Sequence, residues 1–387
     1  TSMNSKYGDL GVDVHKRGIE SFQESITNLY PNAFCVVNRD PKFPDLGLVL
    51  HTDGAGSKPI QAYLHWRAYK AGAVFEGLAR DVLAMNLDDV ICIGATPSCF
   101  VDYIALNSFK VNREVVLKSL SQGFKRTIEK LKSLGVYIMF SGGETADLHD
   151  QIRTLDVSAT IFGYVKLSDV ITGANIKPKD RIVGLRSGGK CRYEEGVNSG
   201  IMCNGITLAR HCLLKKEYSL SYPEIVEPDL KGYYGRFGID DYVEDLDMSI
   251  GEAILSPTRI YAPIIRTLME EYGVSIRGMV HNTGGGQTKC LRIGKNIHFI
   301  KDSLPEPDPI FKLIKEESKE NWRNMYQVFN MGVGFELIVD AEVADDIIDH
   351  IEKKYGVEAM VIGYCEDSYE GNRLTIKSPY GKFMYIQ

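Results

Sequence analysis

Three times before residue 150, an apolar run gives way to a short stretch of acid and glycine, and this recurring junction restricts the chain to alternating β/α architectures with polar turns at the element ends. The first junction is HTDGAGSK, His51 to Lys58, where an apolar strand stops. It combines the groups that polyphosphate chemistry needs: Asp53 can hold Mg²⁺, Gly54 and Gly56 let backbone N–H groups approach phosphate oxygens, and Lys58 can neutralise their charge. A glycine turn flanked by solvated Asp and Lys is the bland alternative, because glycine and aspartate are ordinary turn residues.

The second junction follows a helical stretch with Ala71, Val74, Phe75, Leu78, Val82 and Met85 on one face. Asp88 and Asp89 end it, and Val90 to Ile93 then reads as a buried strand closed by Gly94 and Pro97. Acids at a helix C-terminus face the negative end of its dipole, so a compensating cation at Asp89 is expected. The third junction is SGGETAD, Ser141 to Asp147, which follows a helix carrying Leu117, Leu120, Phe124, Ile128 and Leu131 and the apolar run Val136 to Phe140. Gly142 and Gly143 admit a close ligand, and Glu144 adds a third acid to Asp53 and Asp89. Three carboxylates suit a Mg²⁺-nucleotide site, since this ion prefers oxygen ligands.

The rest of the 387 residues sets broader limits. With 44% hydrophobic residues, the chain has material for two domains, and no run reaches the ~18 apolar residues of a membrane span. The segment TSMNSKYGDL lacks the apolar core of a signal peptide. A net charge of −6 without a basic stripe argues against a nucleic-acid partner. The eight cysteines fall singly, several in apolar segments, as in a reduced cytoplasmic protein. Two β/α stretches meet near Ser168 to Asp180, which divides the chain into residues 1–170 and 171–387. An acidic, tyrosine-rich segment from Tyr218 to Asp247 reads as an insertion. Strand GFELIVD, the helix with Val343, Ile347, Ile348, Ile351 and Tyr355, and strand AMVIGYC point to mixed α/β sheets.

GLRSGGKC, Gly184 to Cys191, nearly matches a phosphate loop, but Cys191 replaces the hydroxyl that would reach Mg²⁺ and no amphipathic helix follows. Asn204 and Gly205 stand at an expected helix start, and MVHNTGGGQTK ends a strand in His281, Thr283 and three glycines. Such turns can bind an anion or ribose phosphate, or serve simply as a helix cap and a flexible turn.

In order, GVD (Gly11 to Asp13), TDGAGSK, DDVICIGATP, SGGETAD, SGIMCNG, HNTGGG and FNMGVGFEL resemble the successive signatures of the phosphoribosylformylglycinamidine cyclo-ligases, or aminoimidazole ribonucleotide synthetases, of purine biosynthesis. The resemblance implies two mixed α/β domains, the N-terminal one binding ATP and dimerising through its sheets. It also implies ATP-dependent ring closure of formylglycinamidine ribonucleotide, which releases ADP and phosphate. On it, Asp53, Gly54, Gly56, Lys58, Asp89, Gly142, Gly143, Glu144 and Thr145 would bind ATP, with Asp53, Asp89 and Glu144 on Mg²⁺. Ser199, Asn204, Thr283, Gly284 and Gly285 would bind substrate, and Lys58 and His281 would be catalytic.

Some positions depart from the family pattern. Met202 stands where the family has a histidine, Asp88 stands where it has asparagine, and Lys190 to Val197 is an extra stretch. Two competing readings follow: another ATP-using member of the superfamily, such as a selenophosphate synthetase, or a nucleotide-binding paralogue without turnover. A selenophosphate synthetase would carry a reactive cysteine before Asp53, where this chain has only Cys35 in an apolar run.

Overall fold

The computed structural model describes residues 5–387. The first half builds a five-stranded sheet from Asn38–Arg39 (β1), Leu46–Gly54 (β2), Thr96–Leu106 (β3), Met139–Asp147 (β4) and Leu155–Lys166 (β5), in the order β1-β2-β5-β3-β4. Strands β3 and β4 run parallel, and the other pairs are antiparallel. Helices Glu76–Val90 and Arg113–Ser133 pack against each other beside this sheet, and Asn112 caps the second by accepting from the Val115 N–H at 3.1 Å. The opposite face of the sheet stays open, with Leu50 69%, Met139 63% and Tyr103 43% exposed.

The second half continues with Arg181–Arg186 (β6), a ribbon of Tyr242–Val243 (β7) and Met248–Ser249 (β8), then Ile276–His281 (β9), Ile297–Lys301 (β10), Val333–Val339 (β11), Ala359–Asp367 (β12), Arg373–Ser378 (β13) and Gly381–Ile386 (β14). Seven of these form one sheet, ordered β14-β13-β10-β12-β6-β11-β9. Every residue of β11 is buried, which accounts for its unbroken apolar run around Glu336. Helix Ala344–Tyr355 turns Ile347, Ile351 and Tyr355 inward, as its periodicity predicts, while Val343 and Ile348 are only partly covered.

Two expected elements are different in the structure. Val90 to Ile93 is not a strand: helix Glu76–Val90 continues through both acids, and a 3₁₀ turn, Ile91–Ile93, ends at left-handed Gly94. A short apolar run is equally compatible with a buried helix end, and here the helix is buried along nearly its whole length. SGGETAD is likewise not a loop after a strand but most of edge strand β4, which starts at Met139.

Asp81 and Asp88 lie seven residues apart on helix Glu76–Val90, hence on one face, and both reach into the second half of the chain. Asp81 accepts from the Thr258 N–H and hydroxyl at 2.9 and 2.6 Å. Asp88 accepts from the N–H groups of Tyr261 and Ala262 at 2.8 and 3.0 Å, where helix Ala262–Tyr272 begins without a local side-chain cap.

Candidate active site

Strand β2 places His51 and Asp53 two residues apart and therefore on one face of the sheet, the face turned towards helix Glu76–Val90. The last turn of that helix presents Asp89 to them. His51, Asp53 and Asp89 each offer one ligand atom, and these atoms all lie within 4.8 Å of one another. His51 Nε2 is 3.0 Å from one Asp89 oxygen, and its Nδ1 is 2.8 Å from Asn86 Oδ1. The other Asp89 oxygen is 2.8 Å from His281 Nδ1, at the end of β9, so both halves of the chain meet at this carboxylate.

Electrostatics follow from this geometry. Burial works to raise the pKa of Asp89, but hydrogen bonds from His281 and His51 outweigh it and hold the group well below the usual carboxylate range. Asp53 moves the other way, raised by burial and by the nearby Asp89 charge. Two half-compensated carboxylates in a part-buried cleft form a donor set that fits a small divalent cation, with Asp53 and Asp89 as oxygen ligands and room in the shell for phosphate and water. His51, a nitrogen donor, suits Mg²⁺ less well and is better placed to hold Asp89.

Glu144 does not join the cluster. In the sheet, Asp53 pairs with Ala159, Ala159 with Asp102, and Asp102 with Gly143, whereas Glu144 pairs with Tyr103 in the adjacent row. Strand alternation therefore aims Glu144 to the exposed outer face, three strands from Asp53. Gly142 and Gly143 are exposed beside it, and Thr145 is part-buried on the inner side. Asp102 shares the inner row with Asp53 instead, and burial pushes its carboxyl up to about 6.

Lys58 is also not where its motif suggested. Its ammonium is fully buried, 2.9 Å from Asp81 and bonded to the carbonyls of Met202 and Ser256 at 3.1 and 2.6 Å. All its donors are engaged, two of them on carbonyls of the second half, so none faces a phosphate. Gly56 is required by the same junction: its φ is +58°, and an added Cβ would stand 2.7 Å from the Cys203 carbonyl. Gly54 ends β2 against Ser158.

His281 is fully buried, with its Nδ1 2.8 Å from Asp89 and its Nε2 without a hydrogen-bond partner among the described residues. Ser199 spends its hydroxyl on the Ala253 carbonyl at 2.6 Å and shapes the SGIMCNG loop. Met202 is buried in a left-handed conformation, and its contribution to the site is the carbonyl that receives Lys58. Asn204 does meet the glycine loop, with Oδ1 at 3.5 Å from where a Gly284 Cβ would stand. Thr283 is buried, and Gly284 and Gly285 line the turn that follows. The GLRSGGKC segment is no phosphate loop: Arg259 binds the carbonyls of Arg186, Gly188 and Gly189, so it offers oxygens rather than N–H groups.

Sequence reasoning missed His51 and Lys289. The first was signalled by its two-residue offset from Asp53 on a strand; the second stands three residues after a glycine run, but only the fold brings its charge within reach of Asp53 and Asp89.

Comparison with known proteins agrees with this architecture. Residues 33–165 match the model for the AIR synthase related protein N-terminal domain, and residues 177–374 match that for the C-terminal domain. A phosphoribosylformylglycinamidine cyclo-ligase of Methanocaldococcus jannaschii is 36% identical over 339 residues, covering 87% of this chain and 84% of that one. Among solved structures, a HypE–HypF complex chain matches with a TM-score of 0.54 at 15% identity, covering 95% of this chain and 97% of that one. AaThiL complexed with AMPPCP and TMP matches with the same score at 13% identity, covering 95% and 96%. At those identities, the two structures speak for the fold alone. The chain thus belongs to the AIR synthase family, the one that includes the phosphoribosylformylglycinamidine cyclo-ligases.

Proposed function

We propose that this protein closes the imidazole ring of aminoimidazole ribonucleotide from formylglycinamidine ribonucleotide, using ATP and Mg²⁺. The observation that carries this reading is the part-buried His51–Asp53–Asp89 cluster, joined through His281 to the Thr283–Gly285 turn in a chain of cyclo-ligase kinship. The γ-phosphoryl group passes to the substrate's amide oxygen: the bond to ADP breaks, its electron pair leaves with ADP, and a new oxygen–phosphorus bond forms. The amidine nitrogen then attacks the activated carbon, the carbon–oxygen bond breaks with its electron pair leaving on phosphate, and the nitrogen loses a proton. Phosphorylation replaces one difficult displacement with two easier ones, and the protein's part is positioning and charge neutralisation. Asp53 and Asp89 would hold Mg²⁺, which supplies neutralising charge at the phosphate oxygens. His51 and His281 keep Asp89 ionised and fixed in direction.

The selenophosphate reading has little support. The Cys35 thiol is buried, donates to the Asp89 carbonyl at 3.1 Å, and is pushed far up by burial, so it is no ready nucleophile. The open face of the first sheet suits a second copy of the chain, so a homodimer is part of this proposal, and Glu144 would then border the partner.

The test is incubation with formylglycinamidine ribonucleotide, ATP and Mg²⁺, scoring aminoimidazole product and ADP separately. The two should appear in equal amounts. ADP released with selenide instead, or nucleotide bound without product, would overturn the reading. Asp53→Asn should raise the Mg²⁺ concentration for half-maximal rate by about tenfold or more, because a ligand charge is lost where phosphate charge is densest.

A further inference from the structure

Among the described residues, three lysines are buried: Lys58, Lys289 and Lys301. Two have a carboxylate partner, Lys58 with Asp81 at 2.9 Å and Lys301 with Glu336 at 2.8 Å. Lys289 is only 6% exposed, yet no carboxylate lies in ion-pair reach and no acceptor in hydrogen-bond reach of its ammonium. Its stem runs along Gly285, and its Nζ stands 5.7 Å from the centre of the Phe34 ring. Arg292 and Lys16 are near enough to repel its charge, and Asp89 and Asp53 near enough to attract it. Burial and Arg292 bring the group down to about 8, and an anion arriving at its ammonium would supply the partner that the surrounding side chains do not.

Other unused donors lie beside it. The backbone N–H groups of Gly284 and Gly285 have no acceptor among the described residues, unlike those of Thr283 and Gly286, which bond within the turn at 2.9 Å each. Asn204, whose amide oxygen borders Gly284, leaves its buried Nδ2 without a partner. Gly286 holds the turn open with φ +53°, where an added Cβ would strike the Phe329 carbonyl at 2.3 Å. The ammonium, two N–H groups and an amide thus gather next to a carboxylate cluster fit for a metal ion.

We propose that Lys289 is the phosphate-binding cation of this site, taking the terminal phosphoryl group of ATP and then the inorganic phosphate released on ring closure. This assigns to Lys289 the neutralising role that Lys58, locked on Asp81, does not fill. The inference rests on the cyclo-ligase reading for the identity of the phosphoryl donor. Lys289 forms and breaks no bond; it offsets charge on the phosphoryl oxygens while the phosphorus–oxygen bond to ADP is exchanged for one to the amide oxygen.

The test is calorimetric titration of the full chain with Mg²⁺ and either ADP or its β,γ-imido ATP analogue, for wild type, Lys289→Met and Lys289→Arg. A hydrogen bond to a charged group is worth ~1.5–3 kcal/mol, so Lys289→Met should weaken the triphosphate analogue by about 10- to 100-fold. ADP affinity should change by less than about threefold, and Lys289→Arg should recover part of the loss. The ligand-free melting temperature of Lys289→Met should hold or rise, since a buried unpaired charge is removed. Equal weakening of both nucleotides, no weakening of either, or a lowered ligand-free melting temperature would overturn the assignment. If Lys289→Met selectively weakens the triphosphate while wild type makes no aminoimidazole product, Lys289 stands and the cyclo-ligase reading falls.

Discussion

At the residue scale, Lys58 separates the appearance of a motif from its role in the fold. TDGAGSK places a lysine after two glycines, as a phosphate site would, yet its ammonium fills a buried position shared by Asp81, Met202 and Ser256. Removing one member of a buried ion pair leaves the other charge stranded. Lys58→Met should therefore destabilise the protein by about 3–5 kcal/mol, and combining it with Asp81→Asn, which removes the stranded charge but keeps an acceptor for Thr258, should recover part of that loss. Denaturant unfolding of the single and double variants checks it; a stable single variant with weakened ATP binding would return Lys58 to the phosphate. His281 behaves similarly. Its imidazole is sealed behind Asp89, so His281→Ala should lower Mg²⁺ affinity and turnover together, not turnover alone. Isothermal titration with Mg²⁺ alongside steady-state kinetics separates the two outcomes.

At the element scale, helix Glu76–Val90 joins three jobs along one side: Asp81 fastens Lys58, Asp88 caps helix Ala262–Tyr272, and Asp89 serves the cluster. Asp88 explains a departure from the family pattern. Here the two N–H groups are accepted by the two separate carboxylate oxygens, a task for which an asparagine has only its single amide oxygen. The carboxylate pays for this in desolvation: burial raises it to about 7, with His281 and the two N–H groups pulling it part of the way back. An unfolded aspartate titrates near 3.9, so the folded state holds the extra proton between about pH 4 and 7. Stability contributed by that proton is complete below pH ~4 and is lost as pH rises through ~7, by at most about 1.4 kcal/mol per unit. Asp88→Asn should remove this slope and gain on wild type across that window, as thermal melts from pH 4 to 8 would register. A parallel offset at every pH would mean that Asp88 is ionised throughout.

At the scale of the whole molecule, the first sheet is covered on one side only. Leu50, Met139, Tyr103, Tyr164 and Val101 lie exposed on a face whose opposite side is buried by helices. An apolar face of this kind is expected to be buried by self-association, and a two-fold pairing of identical sheets is the simplest closure. Sedimentation at micromolar concentrations should give a dimer, and Leu50→Glu with Tyr103→Lys should give a monomer that stays folded. A wild-type monomer across that range would remove the dimer from the proposal.

Much of this was legible in the residues. Apolar periodicity marked the helices that cover both sheets, the switch near Ser168 to Asp180 lies between the last strand of one sheet and the first of the other, and the ordered motifs marked the family. Asp53 and Asp89 could be paired as candidates because acids at the ends of apolar elements stand out in a sequence, and the structure brings them together. The destinations of side chains were not legible. Strand alternation turns Glu144 outward once SGGETAD extends as an edge strand, and no local pattern distinguishes that strand from a loop. Lys58 and Lys289 look alike as lysines near glycines; one meets a carboxylate from a helix 23 positions away and the other meets none among the described residues. Local sequence determines which elements form, because propensity and burial act over a few residues. Which charge is paired and which is left waiting is decided by contacts between distant parts of the chain, and those exist only once it has folded.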